Sequence, residues 1–108
     1  MNKIKNRVKL IGHLGADPEI KTLESGRKVA NFRITTNSSY TNDKGERVED
    51  TQWHSIVAWG KLAEISEKHL TKGKKVAVEG KLVQRTYETK DSEKRYITEV
   101  NCDELMML

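Results

Sequence analysis

The feature that most constrains the fold is a series of short segments in which apolar and polar residues alternate, interrupted once by a segment of helical spacing. Alternation with a period of two is typical of strands with one buried face, whereas apolar residues spaced three and four apart indicate an amphipathic helix. A chain of 108 residues can bury one core. We therefore predict a single, mainly β domain over residues 1–108.

The first two strands are separated by turn residues. Residues 8–14 form the first predicted strand, and residues 15–18, Gly-Ala-Asp-Pro, end it. Residues 20–23 look like a short extension, and residues 29–36 form the second strand. In that strand one face carries Ala30, Phe32 and Ile34, and the other carries Asn31, Arg33 and Thr35.

The middle of the chain turns polar before a third strand begins. Residues 36–51 contain the strong turn signal Asn-Asp-Lys-Gly at residues 42–45, which predicts a protruding hairpin. Residues 51–59 form the third predicted strand. One face of it carries Trp53, Ser55, Val57 and Trp59, and the opposite face carries His54, Ile56 and Ala58.

A helix of about nine residues follows, with Gly73 as a plausible stop. The fourth strand is predicted over residues 76–82, running on toward residue 89, and the last over residues 96–105. Five strands with one helix between the third and fourth is the order of an OB-fold, a partly open Greek-key barrel. The predicted apolar stripe of the helix is Leu62, Ile65, Ser66, His69 and Leu70.

The two tryptophans carry the strongest functional signal. Trp53 and Trp59 share one strand face and lie about 20 Å apart at ~3.3 Å per residue, while the opposite face supplies the core. A single tryptophan in a strand more often fills a barrel end or a subunit contact. Two of them, continued by Tyr40 and Tyr87 in the predicted hairpins, favour a platform on which unpaired bases stack.

The charge pattern agrees with a polyanionic ligand. The chain has 20 Lys and Arg against 16 Asp and Glu, a net charge of +4, and the excess lies before the last strand. Any single lysine among these cations is more readily explained by solvation, but together they flank the aromatic positions, as a groove that follows phosphates requires. The set is Arg33, Lys44, Arg47, Lys61, Lys72, Lys74, Lys75 and Arg85.

The sequence lacks the residue patterns expected for metal binding, catalysis, an internal disulfide or a membrane span. The histidines and the single cysteine stand apart in different elements, so we expect neither a metal site nor a cofactor. No nucleophile with a base, no paired carboxylates and no phosphate loop occur, so we expect no enzyme. One cysteine excludes an internal disulfide, and no apolar run reaches the ~20 residues of a membrane span. We therefore expect a cytoplasmic protein.

Four blocks of the sequence, in order, resemble the bacterial single-stranded DNA-binding protein family, over a match from about Lys3 to Leu105. The blocks are Asn6–Glu19, Val29–Phe32, Trp53–Glu64 and Lys72–Leu82.

The resemblance implies an OB-fold protomer that assembles as a homotetramer, with a dimer as the alternative, and wraps single-stranded DNA around its outside. It implies a nucleoid-associated role in replication, recombination and repair. Stacking positions match Tyr40, Trp53, Trp59 and Tyr87, where family members often have Trp or Phe. His54 matches a position at the protomer contact, which gives it an assembly role. With these, we predict phosphate contacts by Arg33, Lys61, Lys72, Lys74 and Arg85.

One departure concerns the C-terminal end. The family usually carries a flexible linker and an acidic tip that recruits other enzymes, and this sequence stops at Leu108, so such recruitment is not expected. A second hypothesis follows from short relatives of the primosomal type, which restart replication mainly through protein contacts. Those relatives lack the pair formed by Trp53 and Trp59. An oligosaccharide-binding OB domain would not need so many cations.

Overall fold

The computed structural model describes residues 5–108, so the start of the resemblance at Lys3 lies outside the described residues. Seven elements follow one another along the chain. They are β1 Val8–Leu14, β2 Glu19–Thr22, β3 Lys28–Thr41, β4 Arg47–Trp59, α1 Lys61–His69, β5 Lys75–Glu88 and β6 Lys94–Met107.

One sheet closes on itself to form a barrel. Its strand order is β1-β5-β6-β4-β3-β2, and a further pairing of β1 with β3 joins the ends through His13↔Thr35 and Leu14↔Ile34. All pairings are antiparallel except that of β4 with β6. Five strands thus form the barrel, and the short β2 lies at the edge of β3. The predicted OB-fold, with its helix between the third and fourth barrel strands, is confirmed.

The closure of the barrel depends on a close approach of two backbones. A Cβ atom added at Gly12 would overlap with the carbonyl oxygen of Thr35. Because a side chain at this point would force β1 away from β3, glycine is required where the first strand crosses to the third.

The core lies inside the barrel and beneath α1. The predicted inward faces of β3 and β4 are confirmed, since Ala30, Phe32, Ile34, Ile56 and Ala58 are all buried. Alternation predicts such faces well because successive residues of a strand point to opposite sides of the sheet. The remaining members of the core cluster are Leu14, Ala63, Leu70, Val76, Val78, Val100 and Cys102.

The helix ends as predicted but presents a different stripe. Its buried positions are Ala63 and Ser66, with Leu70 buried just after its end. The prediction that His69 belongs to the apolar stripe is wrong, because the helix turns its last residue into solvent. The hydroxyl of Ser66 donates to the carbonyl oxygen of Leu62 at 2.8 Å, so this buried polar group is satisfied.

Two long hairpin arms extend from the barrel, and they contain more strand than the sequence predicts. Residues 36–51, predicted as a polar protrusion, pair in register from Thr36↔Gln52 to Thr41↔Arg47. Both faces of this ribbon carry polar residues, so the sequence shows no apolar–polar alternation there. The backbone hydrogen bonds between the two strands do not require such alternation. The predicted turn is present, where the Asn42 carboxamide oxygen accepts the N–H groups of Lys44 and Glu46 at 3.0 and 2.9 Å. The second arm joins β5 to β6.

Candidate nucleic-acid interface

A groove of about 450 Å³ on the outside of the barrel surrounds Trp53, and we call it the tryptophan groove. Strand register explains its composition. Thr35 pairs with Trp53 and Arg33 with Ser55 across β3 and β4, while Arg85 pairs with Ile97 across β5 and β6. Of these outward positions, all but Thr35 form the walls of the groove, and the turn after β1 closes one end. The lining residues are Gly15, Ala16, Asp17, Glu19, Asn31, Phe32, Arg33, Trp53, Ser55, Ile56, Arg85, Ile97 and Glu99.

Trp53 is held in a fixed position within this groove. Its side chain is 53% exposed, and the guanidinium of Arg33 lies over the ring, 5.0 Å from its centroid. A Cβ atom added at Gly15 would overlap with Cζ3 and Cη2 of the indole. The ring therefore rests against a bare backbone and beneath a cation, with its remaining surface open to a ligand.

Trp59 repeats part of this arrangement at the end of β4. It is partly buried, and the guanidinium of Arg27 lies 5.0 Å from its ring centroid. Lys61 is exposed at the first position of α1. Neither indole belongs to the core cluster. Sequence reasoning missed Arg27, because its approach to Trp59 follows from the pairing of Val29 with Trp59, which a single sequence does not show.

Arg85 lies in the groove as half of an ion pair. Its Nε donates to Oε1 of Glu99 at 2.7 Å, and the side chains are 53% and 9% exposed respectively. This hydrogen bond, together with the charge of Glu99, holds the pKa of the Arg85 guanidinium above its ordinary value. Sequence reasoning predicted Arg85 and missed Glu99. The signal available was the alternation of β6, which places Glu99 on the outward face beside Ile97.

The lining of the groove is not itself basic. Two cations, Arg33 and Arg85, face three carboxylates, Asp17, Glu19 and Glu99. The predicted phosphate contacts Lys61, Lys72 and Lys74 are not lining residues and are exposed. Long side chains that end in an ammonium group keep that group in water, so these three charges lie outside the groove lining.

The loop that carries two of these lysines is attached to the end of β1. The backbone N–H of Lys72 donates to Oδ1 of Asp17 at 2.8 Å. The backbone N–H of Leu14 donates to the carbonyl oxygen of Lys74 at 3.0 Å. Because Asp17 lines the groove, this hydrogen bond fixes the lysine-bearing loop beside it.

The two predicted tyrosines lie on the arms. Tyr87 is 47% exposed and lies two residues beyond Arg85 on the same strand face, in line with the groove. Tyr40 is 57% exposed and pairs with Val48. Its parity in β3 is opposite to that of Thr35, the partner of Trp53, so the register does not bring it onto the face of Trp53. Tyr96, 69% exposed, was not predicted and pairs with Thr86.

His54 lies away from the groove. It is partly buried, on the inward parity of β4, and its Nε2 is 2.8 Å from the hydroxyl of Thr36. The two predicted cations of the β3–β4 arm do not line the groove either. Lys44 is exposed in the turn of the β3–β4 arm, and Nη2 of Arg47 donates to the hydroxyl of Ser39 at 3.2 Å.

Residues 5–108 contain no cluster of three or more His, Cys, Asp or Glu side chains placed to hold an ion. Within that same range, no helix has the length and apolar character needed to cross a bilayer.

The model of the single-strand binding protein family matches residues 5–108. The chain belongs to this family. Single-stranded DNA-binding protein 1 of Chlorobaculum tepidum is 45% identical over 95% of the chain and 64% of its own length. The single-stranded DNA-binding protein of Neisseria meningitidis serogroup A is 41% identical over 95% of the chain and 59% of its own length.

Solved structures of the family agree with the fold. The structure described as a Plasmodium falciparum SSB complex with ssDNA superimposes with a TM-score of 0.90 at 35% identity, covering 95% of this chain and 94% of that one. By contrast, the chain spans about three fifths of the length of the two sequence relatives named above.

Proposed function

We propose that this protein binds single-stranded DNA without sequence preference and protects it during replication, recombination and repair. The observation that carries the proposal is the exposed indole of Trp53, positioned by Arg33 and Gly15 in a groove on the outside of the barrel. The printed names of its relatives and the DNA complex of a structural neighbour support the same ligand.

Stacking accounts for binding without sequence preference. Every base has a π face, and one base stacked on an aromatic side chain contributes about 1–3 kcal/mol. Trp53 and Trp59 offer two such surfaces on one strand face. In duplex DNA the base faces are already stacked on each other, so this arrangement favours unpaired strands.

Phosphate contacts supply the second contribution. Lys72 and Lys74 are exposed on the loop held beside the groove, and Lys61 is exposed two residues after Trp59. A backbone leaving the aromatic surfaces can reach these ammonium groups. Each neutralised phosphate releases condensed counterions, which makes the affinity fall with salt. Tyr87 extends the path along the β5–β6 arm, and Tyr40 offers a further surface on the β3–β4 arm.

We further propose that the protein acts as a homotetramer, with a dimer as the smaller alternative. The outward side of β1, β5 and β6 carries a row of three apolar residues in register, Ile11, Ala77 and Met106, which we call the apolar row. Ile11 and Met106 are 58% and 63% exposed. An aliphatic surface of this kind is stabilised when a second copy covers it. His54 is proposed to contribute to assembly.

The decisive experiment is a titration with oligo(dT) at moderate salt. Binding is expected to quench tryptophan fluorescence strongly and to saturate at a defined number of nucleotides. Duplex DNA of equal length is expected not to compete. Equal binding of duplex and single strands would contradict the proposal, and a complete absence of quenching would favour the alternative in which the domain acts mainly through protein contacts.

The assembly state has its own measurement. Light scattering or native mass spectrometry of the free protein is expected to give four times the protomer mass. A protomer mass at working concentration would contradict the assembly while leaving the DNA proposal standing. Nucleoid association in the cell follows from DNA binding and can be followed by fluorescence microscopy of a tagged chain.

A further inference from the structure

We propose that Arg85 and Glu99 together form a charge-compensated position that contacts a base, so that Arg85 does not act as a phosphate-neutralising cation. This inference rests on the proposed binding of single-stranded DNA and assigns a role within the tryptophan groove. It also gives a function to Glu99, a carboxylate in a site expected to bind a polyanion.

The pair is built into the wall of the groove. Arg85 on β5 and Glu99 on β6 both line the tryptophan groove with Trp53 and Ile97. Nε of Arg85 is 2.7 Å from Oε1 of Glu99. The carboxylate side chain is only 9% exposed, whereas the guanidinium side chain is 53% exposed. The acid therefore lies underneath and the flat cation lies on top.

Burial of the acid keeps Arg85 in place. Within residues 5–108, Arg85 is the hydrogen-bonding partner that the structure gives to the carboxylate of Glu99. If the guanidinium left to follow a phosphate, a buried negative charge would remain without a partner, which is strongly unfavourable. The carboxylate also repels any phosphate that approaches. The arginine is thus retained by Glu99 when a strand binds.

A guanidinium retained by Glu99 can still contact a base in two ways, by donating hydrogen bonds and by stacking. Nε is used by Glu99, and the two Nη groups remain available as donors. The planar group can also stack on a base in the manner of an aromatic ring. Lys61, Lys72 and Lys74 differ, since they form no ion pair in the part of the chain that the structure describes. Their charge is free to neutralise phosphate.

The primary test uses the double variant R85Q/E99Q, which removes both charges at once and leaves no buried charge unpaired. Its affinity for oligo(dT) is expected to fall roughly tenfold, the scale of one lost stacking contact. The slope of log affinity against log salt is expected to stay at the wild-type value. Affinity for an abasic strand of equal length is expected to be unchanged, since that strand offers phosphates without bases.

K74Q is the matched control for a phosphate contact. It is expected to flatten the salt slope by about 0.7, the value for one phosphate contact on a single strand. It is also expected to lower the affinity for the abasic strand as much as the affinity for oligo(dT). Thermal melting of each variant verifies that the fold is retained.

A second comparison keeps the test independent of the double variant. E99Q alone frees the charge of Arg85 and is expected to steepen the salt slope by about 0.7. D103N is its control, because Asp103 also pairs with an arginine, Arg7 at 2.6 Å, but does not line the groove. D103N adds the same charge and is expected to leave the slope unchanged.

The inference is overturned if R85Q/E99Q flattens the salt slope and lowers the affinity for oligo(dT) and for the abasic strand equally, which would make Arg85 a phosphate contact. It is also overturned if the double variant binds oligo(dT) like the wild type. Either result leaves the proposed function intact as long as wild-type protein binds oligo(dT). Failure of the wild type to bind oligo(dT) would overturn the proposed function itself.

Discussion

The tryptophan groove and the apolar row occupy outward faces of the same barrel, and both involve β5 and β6, yet they carry opposite chemistry. Around Trp53 the outward positions are an indole, two guanidiniums and carboxylates. Along the apolar row they are Ile11, Ala77 and Met106, and the next register row is charged, Lys9, Glu79 and Glu104. Barrel geometry supplies both surfaces equally. What each can bind is decided by a few outward residues.

The difference teaches which contacts suit a lasting partner and which suit a mobile one. Aliphatic side chains gain free energy from burial in proportion to area and without directional demands, which suits a permanent contact between identical subunits. A fixed indole with neighbouring guanidiniums presents a flat π face with hydrogen-bond donors beside it. It can accept one base after another along a strand, which suits a ligand of variable sequence.

The largest expected effect comes from placing a charge in the apolar row. Ile11→Glu is expected to lower the native mass to that of a smaller assembly, because a carboxylate would have to lose its hydration in the contact. Since Ile11 is 58% exposed in the protomer, the fold should survive. Light scattering measures the mass, and Lys21→Glu, at an exposed position of β2 away from the apolar row, is the control. An unchanged mass would place the subunit contact elsewhere.

Trp53→Ala tests the other side of the comparison. The affinity for oligo(dT) is expected to fall by about 1–3 kcal/mol, the value of one stacked base, with the salt slope and the native mass unchanged. Tyr96→Ala removes an exposed aromatic from the opposite face of the β5–β6 arm and serves as the control. Normal binding by the Trp53 variant would show that bases stack at other residues.

Gly15→Ala sharpens the comparison without removing any ring. The added methyl group would overlap with Cζ3 and Cη2 of Trp53, so the indole must shift from its place beneath Arg33. We expect a smaller loss of oligo(dT) affinity than in Trp53→Ala, on the order of 1 kcal/mol, and an altered emission spectrum of the free protein. Ala16→Ser, which adds one heavy atom at the next residue, is the control. It is expected to change neither the oligo(dT) affinity nor the emission spectrum.

The smallest effect concerns the ion pair outside the groove. The hydrogen bond from Arg7 holds the pKa of the Asp103 carboxyl below its usual range. Since its folded-state pKa is depressed, the stabilisation is present above the unfolded pKa of about 3.9 and is lost as pH falls through the lower, folded-state pKa. The side chain is 48% exposed, so the effect is small.

The measurement is urea unfolding of wild type and Asp103→Asn at neutral and acidic pH. The difference in unfolding free energy is expected to shrink as the pH falls. A difference that stayed constant with pH would show that the carboxylate charge of Asp103 contributes no stability.

Much of the fold follows from local patterns. The faces of β3 and β4 could be predicted because alternation depends only on neighbouring residues. The helix could be located at residues 61–69 from its spacing and from Gly73. The arms were underestimated because their polar residues remove the alternation on which strand prediction depends. His69 was placed in the apolar stripe because spacing alone does not show where a helix turns away from the core.

The site could be predicted in part. Trp53 and Trp59 stand out in one sequence because two large rings share a strand face opposite the core. Alternation could place Glu99 on the outward face of β6. Its pairing with Arg85 and the position of Arg27 over Trp59 depend on strand pairing, which one sequence does not show. The position of Lys72 and Lys74 beside the groove depends in the same way on a hydrogen bond to Asp17, 55 residues earlier in the chain.

The parallel contact between β4 and β6 has a consequence for the bound state. Three register pairs join these strands, Ile56↔Val100, Val57↔Asn101 and Ala58↔Cys102, and the groove reaches across that seam from one hairpin to the other. A nucleic acid lying over it bridges two halves that are otherwise held together there by few backbone bonds. Because a ligand that binds only the folded state stabilises it, the melting temperature is expected to rise with the logarithm of free oligonucleotide concentration above the dissociation constant. A bound strand would thus help to hold its own binding site together.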